Sequence, residues 1–534
     1  MTSLRGRRAD AACLPRRPFG RPEVYAPTGR EAAAFDRWAI DEAGVPAAVL
    51  MENAGRAAAL VADRIWPDGP VVVLAGAGNN GGDGVVLART LLAHGREVRI
   101  LHLGRETAPD PLLHGWPVPA GPVPSDAEAL RSVLVKAGVV VDALLGTGIR
   151  GSPREPVARV IQAVNGSRTP VVSLDVPSGV DADWGEVPGE AVRADVTIAF
   201  GAPKLGTLLF PGRGRAGRIV AVEIGFPPPG ARATPARVIT PGWAGRHRPR
   251  RRPVTHKKAE GQLLIVAGSP GVAGAAVLAG RGALRAGVGY LRIASHPENR
   301  EILQAALPEA LYVNALDGEA LGEAAEASDA LAAGPGIGID GDAGRRLDAL
   351  LALPGPRGLL LDADALTLLG AGGLPAFARA SSPARRLLTP HPGEMARLGA
   401  PKGEIRARPV GVARRAAESY RSAVLLKGQP SLLASATEEC IWVGTGGSSE
   451  LARAGTGDVL AGVAGAFLAR GADAAAAGAL ALHYTGRAAA LARRGEALLP
   501  TDIADSMARA LGEIPPRRPD LGFPFVLFDL DRPH

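Results

Sequence analysis

The chain has 534 residues, 46% of them hydrophobic, which is too long for one core and fits two or three α/β domains. Its net charge of +8 is unevenly spread, with +4 in residues 1–27, +9 in residues 227–258 and −5 in the remainder. The basic excess sits in segments that read as flexible, which argues against a nucleic-acid partner. Two cysteines, Cys13 and Cys440, exclude a disulfide framework and lack metal-site spacing. No apolar run is long and charge-free enough to span a membrane. The Arg-rich start has no apolar core of a secretory signal, so residues 1–27 are expected to be a disordered basic extension on a soluble, cytoplasmic protein.

A first domain is expected over residues 28–226. Thr28 and Glu31 form a T-x-x-E capping box that opens a helix ending near Gly44, and a second helix follows in MENAGRAAALVADRI. Strands are predicted at 71–75, 98–103, 139–142, 171–175 and 196–200, with helical runs such as 85–94 and 157–165 between them. That alternation predicts a parallel sheet covered on both faces, a Rossmann-like three-layer αβα domain. The loop Gly76-Ala77-Gly78-Asn79-Asn80-Gly81 satisfies G-x-G-x-x-G, but the next strand ends Leu103-Gly104-Arg105 without a ribose-binding acid. Asn79, Asn80 and Asp83 load the loop with polar side chains, whereas a phosphate cradle needs backbone; ordinary dinucleotide binding is the lesser reading. Asp142 and Asp175 end strands, and Ser178 follows shortly after. In an open parallel sheet the carboxyl ends share one edge, so these residues and the loop should converge into a site of oxygen donors suited to a hard cation.

The motifs LMENAG, AGNNGGDG, VDALLGTG, DVPSGVDAD and ADVTIAFGAPKLG, in this order across the domain, resemble the NAD(P)H-hydrate epimerase family. The resemblance implies substrate contacts at Asn79, Asn80, Gly81, Gly82, Asp83, Gly146, Thr147, Gly148, Ile149, Arg150, Gly151, Ser152 and Asp175. It implies a potassium ion held by Asn80, Asp142 and Ser178, and interconversion of the R and S hydrates of nicotinamide nucleotides. Either Asp142 or Asp175 would handle the proton.

Residues 227–255 are rich in proline and arginine and are expected to be an extended linker, with His247 exposed. A second domain is expected over 256–517. Strands are predicted at 263–266, 330–333, 359–362, 387–389, 424–427, 432–434 and 440–443. GSPGVAG after the first of these lacks the Lys-Ser/Thr pair of a Walker loop. Gly455-Thr456-Gly457-Asp458 opens a long apolar helix. A glycine loop at a helix start offers free N–H groups to a phosphate, while a carboxylate there repels it, so Asp458 reads as a base for an attacking hydroxyl. His483, in an alanine-rich helix over 474–492, reads as packing or capping. Residues 518–534 form an apolar-then-acidic tail with the pattern of a last strand, to which no role is assigned.

GPGIG, DADAL, TPHPGE, LKGQPS and GTGD together resemble ribokinase-like small-molecule kinases, and within them the NAD(P)H-hydrate dehydratase family. HKK at 256–258 and Leu451-Ala452-Arg453 depart from the family's HKG and Met-Ala-Thr-like segments. Arg453 is expected to face solvent. The resemblance implies substrate contacts at Ala275, Gly336, His391 and Asp458. It places the nucleotide at Lys427, Gly428, Gln429, Pro430, Ser431 and Gly457, with ADP as phosphoryl donor and AMP as product. Phosphate leaves a ring carbon more readily than hydroxide does, so a kinase-like site could phosphorylate the hydrate and let the ring nitrogen expel phosphate. Magnesium is expected for that transfer.

The chain is thus expected to be a bifunctional repair enzyme, an epimerase domain followed by an ADP-dependent dehydratase of ribokinase-like α/β fold. Small-molecule substrates are the expected partners, with no membrane or nucleic acid and with assembly as a homo-oligomer. The alternatives are a vitamin or sugar kinase fused to a Rossmann-like binding module, an NADP oxidoreductase first domain, or a first domain that serves only as a scaffold.

Overall fold

The computed structural model describes residues 24–104, 111–228, 236–251, 253–353, 358–447, 449–513 and 521–533. Residues 1–23 of the expected extension lie outside the described residues. In chain order the strands of the first half are β1 (Val24–Tyr25), β2 (Val71–Ala75), β3 (Val98–His102), β4 (Ala120–Pro122), β5 (Val139–Ala143), β6 (Val171–Leu174), β7 (Val196–Phe200) and β8 (Arg218–Val222). Next come β9 (Ala236–Val238), β10 (Gln262–Val266), β11 (Tyr290–Ser295), β12 (Leu311–Asn314), β13 (Ala330–Ala333) and β14 (Gly358–Leu361). The last are β15 (Arg386–Leu388), β16 (Ala423–Leu426), β17 (Ser431–Ser435), β18 (Glu438–Gly444) and β19 (Val526–Leu530).

Among the described residues one sheet runs β19-β8-β7-β6-β5-β2-β3-β4, with β2 to β8 parallel and β19 antiparallel at the edge. Its central strands are buried on both faces, which is why they read as unbroken apolar runs. Val71 and Val73 pack with Ala58, Val61 and Leu87 on one side. Val72 and Leu74 pack with Leu130, Leu134 and Ile161 on the other. The α/β three-layer expectation is met. Strand order reverses where β2 stands between β3 and β5, and a ligand crevice opens at the carboxyl ends of such a switch.

The second sheet runs β1-β9-β18-β17-β16-β15-β14-β13-β10-β11-β12. Strands β10 to β16 pair parallel, β17 is antiparallel to both β16 and β18, and the order switches where β10 stands between β11 and β13. The helices Ala273–Arg285, Thr456–Ala469 and Ala474–Ala492 cover one face. The other face packs into a cluster that includes Leu205, Leu208 and Ala221 of the first half, joining the two bodies through apolar contact.

Two local structures differ from the sequence expectation, in the glycine-rich segment and in the linker, while the tail forms the last strand its pattern suggested. The GAGNNGGDG segment is not all loop: a helix begins at Asn79 and runs to Ala93, so residues 79–83 are its first five residues. Glycine permits that tight entry, since a Cβ on Gly81 would lie 1.9 Å from the Gly76 carbonyl oxygen. The expected linker contains β9 and the helix Pro241–His247, capped by the Thr240 side chain. Its short apolar island pairs between β1 and β18, and Trp243 is buried against Trp442 at 4.7 Å between rings. His247 is exposed as expected, its ring stacked 4.4 Å from that of Trp243. The tail supplies β19, whose Asp529 accepts two hydrogen bonds from Arg218 of β8, at 2.8 and 2.5 Å. Both ends of the chain thus cross over, β1 joining the second sheet and β19 the first. No described helix is long and apolar enough to cross a membrane.

Candidate active sites at the two sheet edges

At the switch of the first sheet, Asp142 sits near the end of β5 with no exposure. Its Oδ1 accepts from Ser178 Oγ at 2.5 Å and Leu144 N at 3.3 Å; its Oδ2 accepts from Ser173 Oγ at 2.8 Å and Ser178 N at 2.9 Å. Ser173 is opposite Asp142 in the strand register, so the pleat itself aims the hydroxyl. Burial pushes the Asp142 carboxyl up, and these four donors work in the other direction. Asn80 donates to the carbonyls of Leu145 and Leu174 at 2.7 and 3.2 Å, which leaves its buried Oδ1 with no partner among the described residues. Ser178 Oγ in turn accepts from Leu145 N at 3.0 Å. The structure therefore brings Asn80, Asp142 and Ser178 together, and Gly146 packs against Asn80, where a Cβ would lie 3.4 Å from that of the asparagine.

The remaining predicted residues of this half spread outward from that centre. Arg150 turns back on Thr147 and Ile149, donating to their carbonyls at 3.2 and 2.7 Å, and pairs with Asp183 at 3.2 Å. Ser152 bonds Pro188 O at 3.0 Å, and Gly148 and Gly151 are exposed beside it. Asn79 is exposed, while Gly81 and Gly82 are buried, with Met51 against Gly82.

Asp175, just past β6, adopts a left-handed backbone with φ +63°. A non-glycine residue held there is strained and is common at functional sites. Its Oδ1 accepts from Phe200 N at 3.1 Å and from the ammonium of Lys204, which is 4% exposed and also donates to Phe200 O at 2.9 Å. The charges of Asp175 and Lys204 also act on Asp83 and Asp36. Asp83 is pushed well above the usual carboxylate range by burial first, then by Asp175 and Asp36, with Lys204 opposing. Asp36 is raised by desolvation, against the pull of Lys204 and with a further push from Asp175. Sequence reasoning did not single out Lys204 or Asp36. The available signal was a lone cation in the apolar run AFGAPKLG directly after a buried strand.

At the second sheet, Gly455 takes φ +90° as the cap of the helix Thr456–Ala469, a conformation that favours glycine, and Asp458 lies in its first turn, half-buried. Burial pushes the Asp458 pKa up to about 7, reinforced by Asp362, Asp364 and Glu394 and opposed by Lys427. Lys427, just past β16, donates to Asp362 Oδ1 at 2.7 Å and stands 3.7 Å from Glu394 Oε2. Burial disfavours the ammonium, but Asp362, Glu394 and Asp458 outweigh it and raise the Lys427 pKa. A side chain at Gly457 would come within 3.5 Å of Lys427 Nζ, so the helix start faces this cluster. His391 caps the helix Pro392–Arg397: its Nδ1 accepts from Gly393 N at 2.9 Å and Glu394 N at 3.3 Å, and its Nε2 lies 3.2 Å from Glu394 Oε1.

Gly428 N and Ser431 Oγ are 3.2 Å apart and close a turn that carries Gln429 and Pro430. Ala275 and Gly336 meet across the β10–β13 switch, where a Cβ on Gly336 would lie 3.3 Å from that of Ala275. Gly338 N donates to Asp364 Oδ2 at 3.0 Å, tying the GPGIG loop to the DADAL motif. The predicted residues of this half therefore line one sheet edge, along with Asp362, Asp364 and Glu394, which had been quoted within motifs but given no role. His483 lies partly buried with its pKa lowered to about 4 by burial, away from this cluster in the contacts it makes. Arg453 is exposed and bonds Glu496 O at 2.7 Å.

Comparison with known proteins matches the two halves of the chain to two families. Residues 47–206 match the family described as YjeF-related protein N-terminus, and residues 263–509 match the family described as NAD(P)H-hydrate dehydratase. The chain is 38% identical to the bifunctional NAD(P)H-hydrate repair enzyme of Salinibacter ruber, over 90% of this chain and 95% of that protein. It is 34% identical to the enzyme of the same name from Escherichia coli, over 89% of this chain and 91% of that one. Among solved structures it resembles the ADP/ATP-dependent NAD(P)H-hydrate dehydratase of Bacillus subtilis, co-crystallised with ATP and Mg2+. That match is 28% identical over 51% of this chain and 96% of the other, with a TM-score of 0.45. With both halves matched in one order and relatives aligned along nearly their whole length, the chain belongs to the family of bifunctional NAD(P)H-hydrate repair enzymes.

Proposed function

We propose that the protein repairs hydrated NADH and NADPH at two sites, interconverting the R and S hydrates at the first sheet edge and dehydrating the S form at the second with ADP as phosphoryl donor. The observation that carries the reading is Asp458, a carboxylate with a pKa raised to about 7 at a glycine-led helix start beside Lys427. A group poised near neutrality can take the proton of an attacking hydroxyl. In this reading Asp458 removes the proton from the hydrate hydroxyl while the oxygen attacks the terminal phosphorus of ADP. The P–O bond to AMP breaks, the N–H groups of the helix start steady the phosphoryl oxygens, and Lys427 faces the leaving phosphate. The ring nitrogen lone pair then expels inorganic phosphate, and loss of a proton from the neighbouring carbon restores the dihydronicotinamide.

Asp362, Asp364, Glu394 and Asp458 set against Lys427 make this edge acidic. A nucleotide phosphate entering it needs added positive charge, which supports magnesium arriving with the nucleotide; no described cluster of three His, Cys, Asp or Glu forms a cage of its own. At the first edge the unpartnered Oδ1 of Asn80, with Asp142 and Ser178 beside it, fits a hard monovalent cation such as potassium. Such an ion would steady negative charge on a departing or returning hydroxyl.

The test is to incubate the protein with mixed hydrates of NADH and ADP and follow the return of the reduced-nicotinamide absorbance. Full recovery of both epimers, with AMP and phosphate released in equal amounts, is the expected result. No recovery, together with a stable phosphorylated alcohol, would replace this reading with a vitamin or sugar kinase.

A further inference from the structure

The hydrate to be dehydrated is a dinucleotide, with the reacting ring at one end, a diphosphate bridge, and an adenosine at the other. The second sheet edge has expected places for the ring and for ADP, but none yet for that adenosine. The loop 427–431, expected to take ADP, follows β16. The expected contacts of the ring step away from it along the sheet: His391 after β15, Gly336 after β13, and Ala275 on the helix after β10. The edge continues in that direction to β11 and β12. With about 4.8 Å between strands, β11 lies about 19 Å from β15, comparable with the length of an extended dinucleotide.

At that end of the edge the structure has a cleft of about 610 Å3, counting its open mouth, a size that suits a small-molecule site. One wall is the ends of β10 and β11 with the loop after β10. The other is the face Ala343, Arg346, Leu347 and Leu350 of the helix Gly341–Ala352, whose spacing puts them on one side of it. The lining is apolar except for Ser269, Ser295, His296, Asp340 and Arg346. It adjoins the ring's end directly: Ser269 N donates to Gly336 O at 2.6 Å, and Ile337 lines the cleft. Asn299, 1% exposed, braces the loop by donating to Gly268 O and Ser269 O at 3.1 and 3.0 Å, so this wall is formed in advance of any ligand.

Two charged side chains stand in the helix wall. Asp340 caps the helix, its Oδ1 accepting from Ala343 N at 2.8 Å. Arg346 is exposed and makes no hydrogen bond or ion pair among the described residues, whereas its neighbour Arg345 is paired with Asp342. The charges of Asp340 and Arg346 also act on each other. A carboxylate suits a ribose 2′-hydroxyl, and an arginine suits a 2′-phosphate. We propose that this cleft binds the adenosine end of the hydrate, Arg346 pairing with the 2′-phosphate of the NADPH form and Asp340 accepting from the 2′-hydroxyl of the NADH form. The proposal rests on the dehydratase reading of this edge. The apolar helix face covers the adenine, and each form of the hydrate meets one complementary group, so the cleft accepts both.

The experiment uses the full chain and measures ADP-dependent dehydration of three purified S hydrates: those of NADH, of NADPH, and of reduced nicotinamide mononucleotide, which has no adenosine. Ala343→Phe, which fills the cleft, should raise KM about tenfold for both dinucleotides and leave the mononucleotide as in wild type. Arg346→Gln should raise KM for the NADPH hydrate about tenfold relative to that for the NADH hydrate. Asp340→Asn, which keeps the helix cap, should move the same ratio the opposite way, by about threefold. A merely structural role would move both substrates alike. Adenosine 2′-monophosphate should compete with the NADPH hydrate and not with ADP. Unchanged KM ratios in both charge variants, or competition with ADP alone, would overturn the proposal while leaving the dehydratase reading intact. Absence of dehydration by the wild-type protein would overturn both. Should Ala343→Phe fail to fold, the two charge variants, altered only at exposed side chains, decide: opposite shifts of the ratio uphold the cleft, and a fixed ratio sinks it.

Discussion

Lys427 Nζ stands 2.7 Å from Asp362 Oδ1 and 3.7 Å from Glu394 Oε2, so the ammonium facing the glycine-led helix is shared among carboxylates in the free protein. Removing it has two separable consequences. Asp362, 2% exposed, would lose its cation, and breaking a buried pair from one side costs about 3–5 kcal/mol. Asp458 would lose the ammonium that opposes the rise in its pKa. Lys427→Met is therefore expected to shift the urea midpoint down and to move the acid limb of dehydration to higher pH. Unchanged unfolding together with an unchanged pH profile would show that the ammonium serves neither carboxylate.

Asp458 itself gives a pH prediction with a definite sign. Its folded pKa, about 7, lies above the ordinary aspartate value of 3.8, so the folded protein holds a proton that the unfolded chain releases. As a base it must be ionised, so dehydration should fall about tenfold for each pH unit below 7. Stability should run the other way, declining as pH rises from about 4 to about 7, where the folded state resists ionisation. Asp458→Asn should abolish dehydration, spare epimerisation, and melt at a higher temperature than wild type at pH 8, the gap closing toward pH 4. A variant less stable than wild type at pH 8 would mean the carboxylate stabilises the helix start instead.

The parts of both sites that were legible in the sequence are those where backbone and chemistry coincide. Asp142 ends an unbroken apolar strand and Asp458 follows a glycine pair at a helix start, so local pattern alone places them on sheet edges. Lys204 was not legible because a lysine in an apolar run ordinarily extends to solvent; only the fold shows it 4% exposed and bonded to Asp175. Asp36 belongs to an amphipathic helix, where one more charge on the outer face carries no signal. The helical start at Asn79 was hidden because glycines usually end helices, whereas here they let the turn close on Gly76. Strands β1, β9 and β19 pair with partners distant in sequence, and no local period reports such pairing.

Potassium offers a test of the first edge that does not depend on turnover. The buried Oδ1 of Asn80 has no partner among the described residues, and an unmet acceptor of that kind costs about 1–3 kcal/mol. An ion that binds only the folded state stabilises it by about 2.7 kcal/mol at one hundred times its Kd. Thermal unfolding in potassium chloride should therefore occur at a higher temperature than in tetramethylammonium chloride of equal ionic strength. Asn80→Ala should erase the difference. An identical shift in the variant would place the ion elsewhere.

The crossed chain ends predict a dependence of the first domain on the last residues of the protein. Strand β19 covers the edge of β8, Arg218 holds Asp529 by two hydrogen bonds, and Arg532 reaches Asp195 at 3.0 Å. Val526 is fully buried, and Phe523 and Phe525 pack against the core that carries Val220 and Val222. Without residues 521–534 that core would open on one side and β8 would present a bare row of N–H and C=O groups, a template for association. The shortened chain is expected to exchange the amide hydrogens of residues 218–222 faster by at least an order of magnitude. It should also lose epimerisation on mild warming before dehydration, because the second sheet keeps every strand and loses only the apolar packing of Leu527, Phe528 and Leu530 on one face. Size-exclusion chromatography after warming should show larger species from the shortened chain alone. If both activities instead decline together, the apolar contact of Leu205 and Leu208 with the second body transmits the loss, and the two domains unfold as one unit.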